Sequence, residues 1–154
     1  MNYLKLFESF VTGIQKLTDE NWREELKDVF IPVCDHGLYI KEIYEGNFLS
    51  MGVKSIIQDH NKLTHPTVSG FGIRLRPNHK WDIKIDKDFL EDLKYSILHT
   101  ESLLNVNLHL IYFCTPSGNW FKSIDSLIKS EEKYPTFMNT LSNHTVFIDV
   151  IFKV

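Results

Sequence analysis

The chain has 154 residues, of which 43% are hydrophobic and 24% are charged, and its formal net charge at pH 7 is −3. These values are typical of one globular domain that buries a sizeable core. Nucleic-acid-binding domains usually carry a basic excess, so the acidic balance counts against that class. No apolar run approaches the roughly 20 residues of a membrane span, no signal peptide is evident, and two cysteines are too few for a disulfide framework. We therefore expect a cytoplasmic protein in which Cys34 and Cys114 are reduced.

The N-terminal half predicts helices followed by one strand. Its predicted elements are an amphipathic helix over residues 3–17, a helix over residues 20–30, a strand over residues 38–45 and a weak helical stretch within residues 48–63. The alternation of the strand slips between Ile40 and Ile43, as a β-bulge would cause. Gly46 and Asn47 predict a turn that ends this strand.

The C-terminal half predicts a strand–helix–strand unit at residues 80–114. Trp81, Ile83 and Ile85 alternate with polar residues, which predicts a strand. Asp88 then begins a capping box, and apolar residues at helical spacing follow as far as Asn105. A second strand over residues 106–114 completes the unit. The helix is long enough for a right-handed parallel crossover, and an antiparallel arrangement stays open.

The remaining segments predict further strands and helices around this unit. They are a strand over residues 70–76 that turns at residues 77–80 into the strand at Trp81, a loop at 115–119, a helix over 120–130, a short helix near 137–141 and a strand over 146–154. No linker composition divides the chain. We expect one α+β domain over residues 1–154, with a mixed, mainly antiparallel sheet of about five strands and helices packed on it.

Candidate catalytic and metal-binding residues do not form a recognisable motif. Cys34 and His36 are close in sequence, but an extended chain directs adjacent side chains to opposite faces. Asp59, His60 and His65 match no standard metal spacing. We expect no metal site, no cofactor and no catalytic residue, with buried thiols and polar loop residues as the simpler interpretation.

Basic residues follow one another through the predicted hairpin. They are Arg74, Arg76, Lys80, Lys84 and Lys87, and such a stripe can bind phosphate groups. Asp82, Asp86 and Asp88 interleave with them, which favours cross-strand ion pairs instead. Gly70 and Gly72 form no phosphate loop and predict a bend or close packing in a strand.

An acidic set with interleaved aromatics lies in the N-terminal half, where acids outnumber bases by ten to seven over residues 1–65. Carboxylates beside aromatic anchors are suited to a basic protein partner. The alternative is a solvated helix face with aromatic residues in the core. The candidate partner-binding residues are Glu24, Glu25, Asp28, Asp35, Glu42, Tyr44 and Glu45.

With these features the chain resembles the small immunity proteins that bacteria pair with secreted or contact-delivered toxins. The resemblance is one of overall type, namely a mildly acidic, aromatic-rich α+β domain without a catalytic motif. It implies a non-enzymatic protein that blocks the active site of a cognate toxin domain. That toxin domain is expected to be basic, and a nuclease is one example. The net charge of −3 favours a mixed polar and aromatic interface over a purely electrostatic one.

Two other classes stay open. A small hydrolase or nucleotide-handling enzyme would use His36, His60 or His65 with Asp35 or Asp59, and it requires these residues to converge in space. A nucleic-acid-associated protein would use the basic residues between Arg74 and Lys84.

Overall fold

The computed structural model describes residues 21–49, 67–79 and 83–154. Their elements, in chain order, are α1 (Asn21–Val29), α2 (Ile31–Cys34), β1 (Leu38–Leu49), β2 (Thr67–Pro77), α3 (Lys87–Leu104), β3 (Asn107–Cys114), β4 (Asn119–Phe121), α4 (Ile124–Lys133), α5 (Pro135–His144) and β5 (Phe147–Lys153). The predicted α+β class with about five strands is confirmed. Predictions for residues 3–17, for 50–63, for His65 and for residues 80–82 lie outside the described residues.

The five described strands form one sheet in the order β1-β2-β5-β3-β4, and every neighbouring pair is antiparallel. The C-terminal strand β5 therefore lies at the centre of the sheet. Because β2 and β3 both pair with β5 in the antiparallel sense, they run in the same direction with β5 between them. Helix α3 thus joins two parallel strands that are not adjacent, and the strand before it is β2.

The predicted first strand of the 80–114 unit is wrong in its described part, because residues 83–86 form no ladder. Ile83 and Ile85 are nevertheless buried in the core. The backbone N–H of Ile85 donates to the hydroxyl of Ser142 at 3.0 Å, so a side chain satisfies it. The alternation of apolar and polar residues indicates an extended chain with one side buried. An extended chain of this kind need not pair with another strand.

The N-cap of helix α3 lies two residues before the predicted one. The carboxylate of Asp86, not Asp88, accepts from the N–H of Phe89 at 2.9 Å. The helix ends as predicted at Asn105, which adopts the left-handed conformation with φ 52°. Asparagine tolerates this region better than other non-glycine residues because its short polar side chain bonds locally.

The larger core lies between the helices and one face of the sheet. Trp22, Leu26 and Phe30 are buried there, as predicted for the helix at residues 20–30. The ring of Trp22 packs on that of Phe71 in β2 with centroids 4.9 Å apart. The hydroxyl of Ser96 in α3 donates to the carbonyl of Val29 at 2.9 Å and fastens α3 to α1.

The opposite face of the sheet holds a second, smaller buried cluster. It contains Phe48, Leu110, Tyr112 and Ile151, with Tyr44, Val68, Cys114 and Phe147 packed against it. Because both faces of the central strands are buried, five consecutive residues of β5, from Ile148 to Phe152, are buried. The prediction that the strand at residues 106–114 is covered on both sides agrees with this arrangement.

Two further predictions are wrong at element boundaries. Gly46 and Asn47 lie inside β1, where they pair with Gly70 and Ser69. The predicted helix at residues 120–130 begins only at Ile124, since Asn119–Phe121 pair with β3 instead. The predicted bulge in β1 is confirmed, because the register shifts between Ile40 and Glu42.

No helix in the described ranges is long and apolar enough to cross a membrane.

Candidate partner-binding surface

The described segment from Asn21 to Leu49 concentrates negative charge. It contains six acidic side chains and three basic ones, so its formal charge of −3 equals that of the whole chain. Five of the six carboxylates are exposed and the sixth, that of Glu25, is half-buried. All of them stand on α1, on the turn before β1, or on β1, which lies at one edge of the described sheet. We call this set the acidic edge: Glu24, Glu25, Asp28, Asp35, Glu42 and Glu45.

Ion pairs fix part of the acidic edge on rigid elements. The guanidinium of Arg23 in α1 lies 3.1 Å from the carboxylate of Glu45 in β1, and both side chains are nearly half exposed. Within α1, Lys27 donates to Glu24 at 2.8 Å. Exposed pairs of this kind contribute about 0–1 kcal/mol to stability, so a partner can replace them at small cost.

The bulge in β1 distributes the acidic edge over both faces of the sheet. Ile40 and Ile43 both pack against the core on the helix side, which regular alternation would not permit. As a result Glu42 faces Arg74 on the opposite side, at 3.3 Å. Glu45 faces α1 on the helix side. The predicted residues therefore wrap around the β1 edge and do not form one flat patch.

Glu42 borders a buried ion pair that joins β2 to β5. The side chain of Arg74 donates to both oxygens of Asp149, with Nε to Oδ1 at 2.8 Å and Nη2 to Oδ2 at 2.9 Å. Asp149 is only 1% exposed. The guanidinium also lies 4.1 Å from the ring centroid of Phe147. The hydrogen bonds to Asp149 raise the pKa of Arg74 above its ordinary value, so the guanidinium keeps its charge.

Tyr44 belongs to this buried cluster more than to the surface. Its hydroxyl donates to Asp149 at 3.0 Å, and its ring occupies the space that a side chain at position 72 would fill. Burial raises the pKa of this phenol above its ordinary value of 10.0. The structure therefore places six of the seven candidate residues on the acidic edge and the seventh, Tyr44, mainly inside the molecule.

In the segment that carries the acidic edge, the exposed aromatic side chain is that of Tyr39 in β1, which is 41% exposed. Trp22 belongs to the core and is 2% exposed. Composition alone could not separate these two residues, because their exposure depends on which side of α1 and β1 packs on the sheet. Tyr39 pairs with Arg76 across the β1–β2 ladder.

Only part of the residue set that the enzyme hypothesis requires lies in the described ranges. His36 contacts Asp92, with Nε2 and Oδ2 2.7 Å apart, instead of Asp35, whereas Asp59, His60 and His65 lie outside the described ranges. Burial raises the pKa of Cys34 above its ordinary value of 9.0, and the pKa of Cys114 rises for the same reason. Both are free thiols, and a raised pKa keeps them protonated and weakly nucleophilic.

No group of three or more potential metal ligands occurs among the described residues.

The basic stripe of the sequence does not form as a hairpin face in the described residues. Arg74 is engaged by Asp149 and Glu42. Lys84 and Lys87 lie outside the sheet, where they face Asp86 at 3.8 Å and Glu91 at 4.0 Å. Lys80 lies outside the described ranges. The predicted interleaving of bases with acids is present, although the partners differ from those in the predicted hairpin.

Comparison of the chain with protein-family models, with curated proteins and with solved structures found no match. Functional inference therefore depends on the residues of this chain.

Proposed function

We propose that this chain is a non-enzymatic cytoplasmic binding protein of the immunity type, which neutralises a cognate toxin domain by covering its active site. The observation that supports this proposal is the acidic edge, whose segment carries a charge equal to the net charge of the chain and presents five exposed carboxylates on α1, on the turn before β1 and on β1. Surfaces of one sign attract partners of the other sign and raise the rate of encounter.

The partner that fits the acidic edge is a basic protein domain. A nuclease domain is one such protein, because lysine and arginine around its active site bind the phosphates of its substrate. Asp28 and Asp35 are exposed and have no ion-pair partner among the described residues, so they are free to meet those cations. Tyr39 supplies an exposed amphipathic ring on β1, and aromatic anchors slow dissociation.

The first experiment is co-expression of the tagged chain with the product of the adjacent upstream reading frame. We expect a stoichiometric complex and rescue of cells that express the partner domain. Failure of every neighbouring product to bind, or binding without rescue, would contradict the immunity proposal.

The role of the acidic edge is tested in the same complex by reversing two of its charges. We expect Asp28→Lys with Asp35→Lys to lower the association rate about tenfold at low salt, since steering depends on the charge that faces the partner. The readout is surface plasmon resonance at low and at physiological ionic strength, after circular dichroism has shown that the fold is retained.

The matched control is Glu131→Lys with Glu132→Lys, which changes the net charge equally on α4. We expect this control to bind at nearly the parental rate. If both double variants lower the association rate equally, the net charge of the chain, and not the acidic edge, would set the rate of encounter.

A further inference from the structure

A cavity of about 260 Å³ lies between the β3–β4 loop and helix α5. The candidate partner-binding residues stand on other elements. The buried side chain of Leu141 lines the cavity together with the partly exposed ring of Phe137 and with Pro116. Polar groups from Thr115, Ser117, Asn119, Thr140 and His144 complete the wall. The cavity therefore combines an apolar lining with several hydrogen-bonding groups, which is the usual composition of a small-molecule site.

The loop side of the cavity is built before any ligand arrives. The hydroxyl oxygen of Thr115 accepts from the N–H of Gly118 at 3.0 Å and from the side-chain amide of Asn119 at 2.9 Å. Gly118 adopts φ 65°, a region that favours glycine. The N–H of Val146 donates to the carbonyl of Cys114 at 2.8 Å and joins the start of this loop to the chain that follows α5. A preformed site avoids the entropic cost of ordering a loop on binding.

The charge and size of the cavity limit what it can hold. Helix α5 and residues 115–119 contain no aspartate, glutamate, lysine or arginine. An ionic ligand would therefore gain no counter-charge from a carboxylate, an ammonium or a guanidinium in the wall. An apolar cavity of about 150 Å³ is large enough for benzene. The larger volume here, with polar groups in its wall, suits an aromatic ring that carries one polar substituent.

We propose that this cavity binds an uncharged phenol-like group. The ring packs against Leu141 and Phe137, where aromatic contacts are favourable. The hydroxyl bonds with the imidazole of His144 or with the amide oxygen of Asn119, since a phenol both donates and accepts. Such a group belongs either to a free small phenol or to a tyrosine side chain of another protein, and a titration can separate these sources.

The test is a titration of the ¹⁵N-labelled full chain with p-cresol, followed by NMR. We expect saturable shifts, with a dissociation constant in the millimolar range or tighter, at the amides of Ser117, Asn119, Thr140 and His144. Toluene lacks the hydroxyl, and we expect it to bind at least fivefold more weakly. Shifts that stay linear without saturation would overturn the site, and equal binding of toluene would overturn the role of the hydroxyl.

Two tryptophan variants localise the binding. Thr140→Trp places a large ring into the cavity, and we expect it to abolish the p-cresol shifts. Asn139→Trp makes the same change at the exposed neighbouring position of α5, outside the cavity lining, and should leave the affinity within twofold of the parent. Unchanged affinity of the folded Thr140→Trp variant would place the binding elsewhere and overturn the proposal.

A peptide titration separates the two sources. A blocked Gly-Tyr-Gly peptide that binds at least as tightly as p-cresol would assign the cavity to a tyrosine of a partner, whereas a much weaker peptide would assign it to a free phenol. Neither titration requires a toxin, so this inference and the proposed function can fail separately.

Discussion

Asp149 is a charged residue that is buried in the described part of the chain. A carboxylate that is 1% exposed sits in the central strand, where desolvation disfavours its charge. Arg74 compensates with two hydrogen bonds, and Tyr44 adds a third at 3.0 Å. The side chain of Asp149 is buried and that of Arg74 is 27% exposed, so the carboxylate is the partner that is costly to bury without the other.

We expect Asp149→Ala to lower the free energy of unfolding by about 2 kcal/mol, because the Tyr44 hydroxyl loses its acceptor and Arg74 is left with its contact to Glu42 at 3.3 Å. Urea denaturation at pH 7 measures the change. Asp28→Ala, at an exposed position of α1, is the control and should change stability by less than about 0.5 kcal/mol.

A double replacement distinguishes the loss of a partner from the loss of packing. Arg74→Met with Asp149→Leu removes both charges and fills the space with apolar atoms, so it should be more stable than Asp149→Ala alone. A cost for Asp149→Ala as small as that of the control would show that Arg74 turns into solvent and that the pair is not structural.

At the scale of single elements, two glycines that face each other in the β1–β2 ladder have opposite surroundings. Gly46 pairs with Gly70. A Cβ at Gly46 would meet nothing within 4 Å, whereas a Cβ at Gly70 would collide with the carbonyl oxygen of Phe152 in β5. The predicted close packing is therefore present at Gly70, where only a residue without a Cβ fits against β5.

We expect Gly70→Ala to destabilise the protein by about 2–3 kcal/mol, because the new methyl group must push backbone apart in the β2–β5 ladder. Gly46→Ala on the facing strand is the matched control. It should be neutral or stabilising by up to about 1 kcal/mol, since alanine only restricts the unfolded chain there. Thermal unfolding of both variants measures the difference, and similar melting temperatures would contradict the geometry at Gly70.

Local patterns predicted most of the elements that pack through one face. The helix with Trp22 inward, the strands at β1 and β2, and α3 with its end at Asn105 all follow from periodicity and caps, which depend on neighbouring residues. Pairing is not local, and the errors lie there. The 83–86 stretch is extended but unpaired. Residues 119–121 pair with β3, where Trp120 lies opposite Tyr112.

The charge of the candidate surface follows from composition, whereas its geometry does not. The acidic residues of the N-terminal half are visible in the sequence, and five of the six that define the acidic edge are exposed in the structure. The pairing of Arg74 with Asp149 could not be read, because the partners are 75 residues apart and meet only when β5 enters beside β2. The interior position of Tyr44 follows from the same event, since its hydroxyl contacts Asp149.

At the scale of the whole molecule, the last strand of the described chain occupies the middle of the sheet. β5 pairs with β2 on one side and β3 on the other, so three segments distant in sequence must meet before both ladders are complete. Both buried clusters contribute to its cover, with Ile148, Val150 and Phe152 on the helix side and Ile151 on the other. The stability of the sheet therefore depends on β5 more than on its edges.

Native-state hydrogen exchange measures this distribution. We expect the amides from Ile148 to Phe152 to exchange only through global unfolding, because each local opening would expose both buried clusters. The edge strand β4 has three residues and pairs with β3 alone among the described strands, so its amides should exchange at least about 100-fold faster than those of β5.

A denaturant series separates global from local exchange. The free energy of exchange through global unfolding falls with denaturant with the same m-value as unfolding, whereas that of local exchange is nearly independent of denaturant. Equal protection of β4 and β5 would contradict the difference between the edge and the centre of the sheet. Denaturant-independent exchange in β5 would mean that the central strand opens locally and that the two clusters are not one cooperative unit.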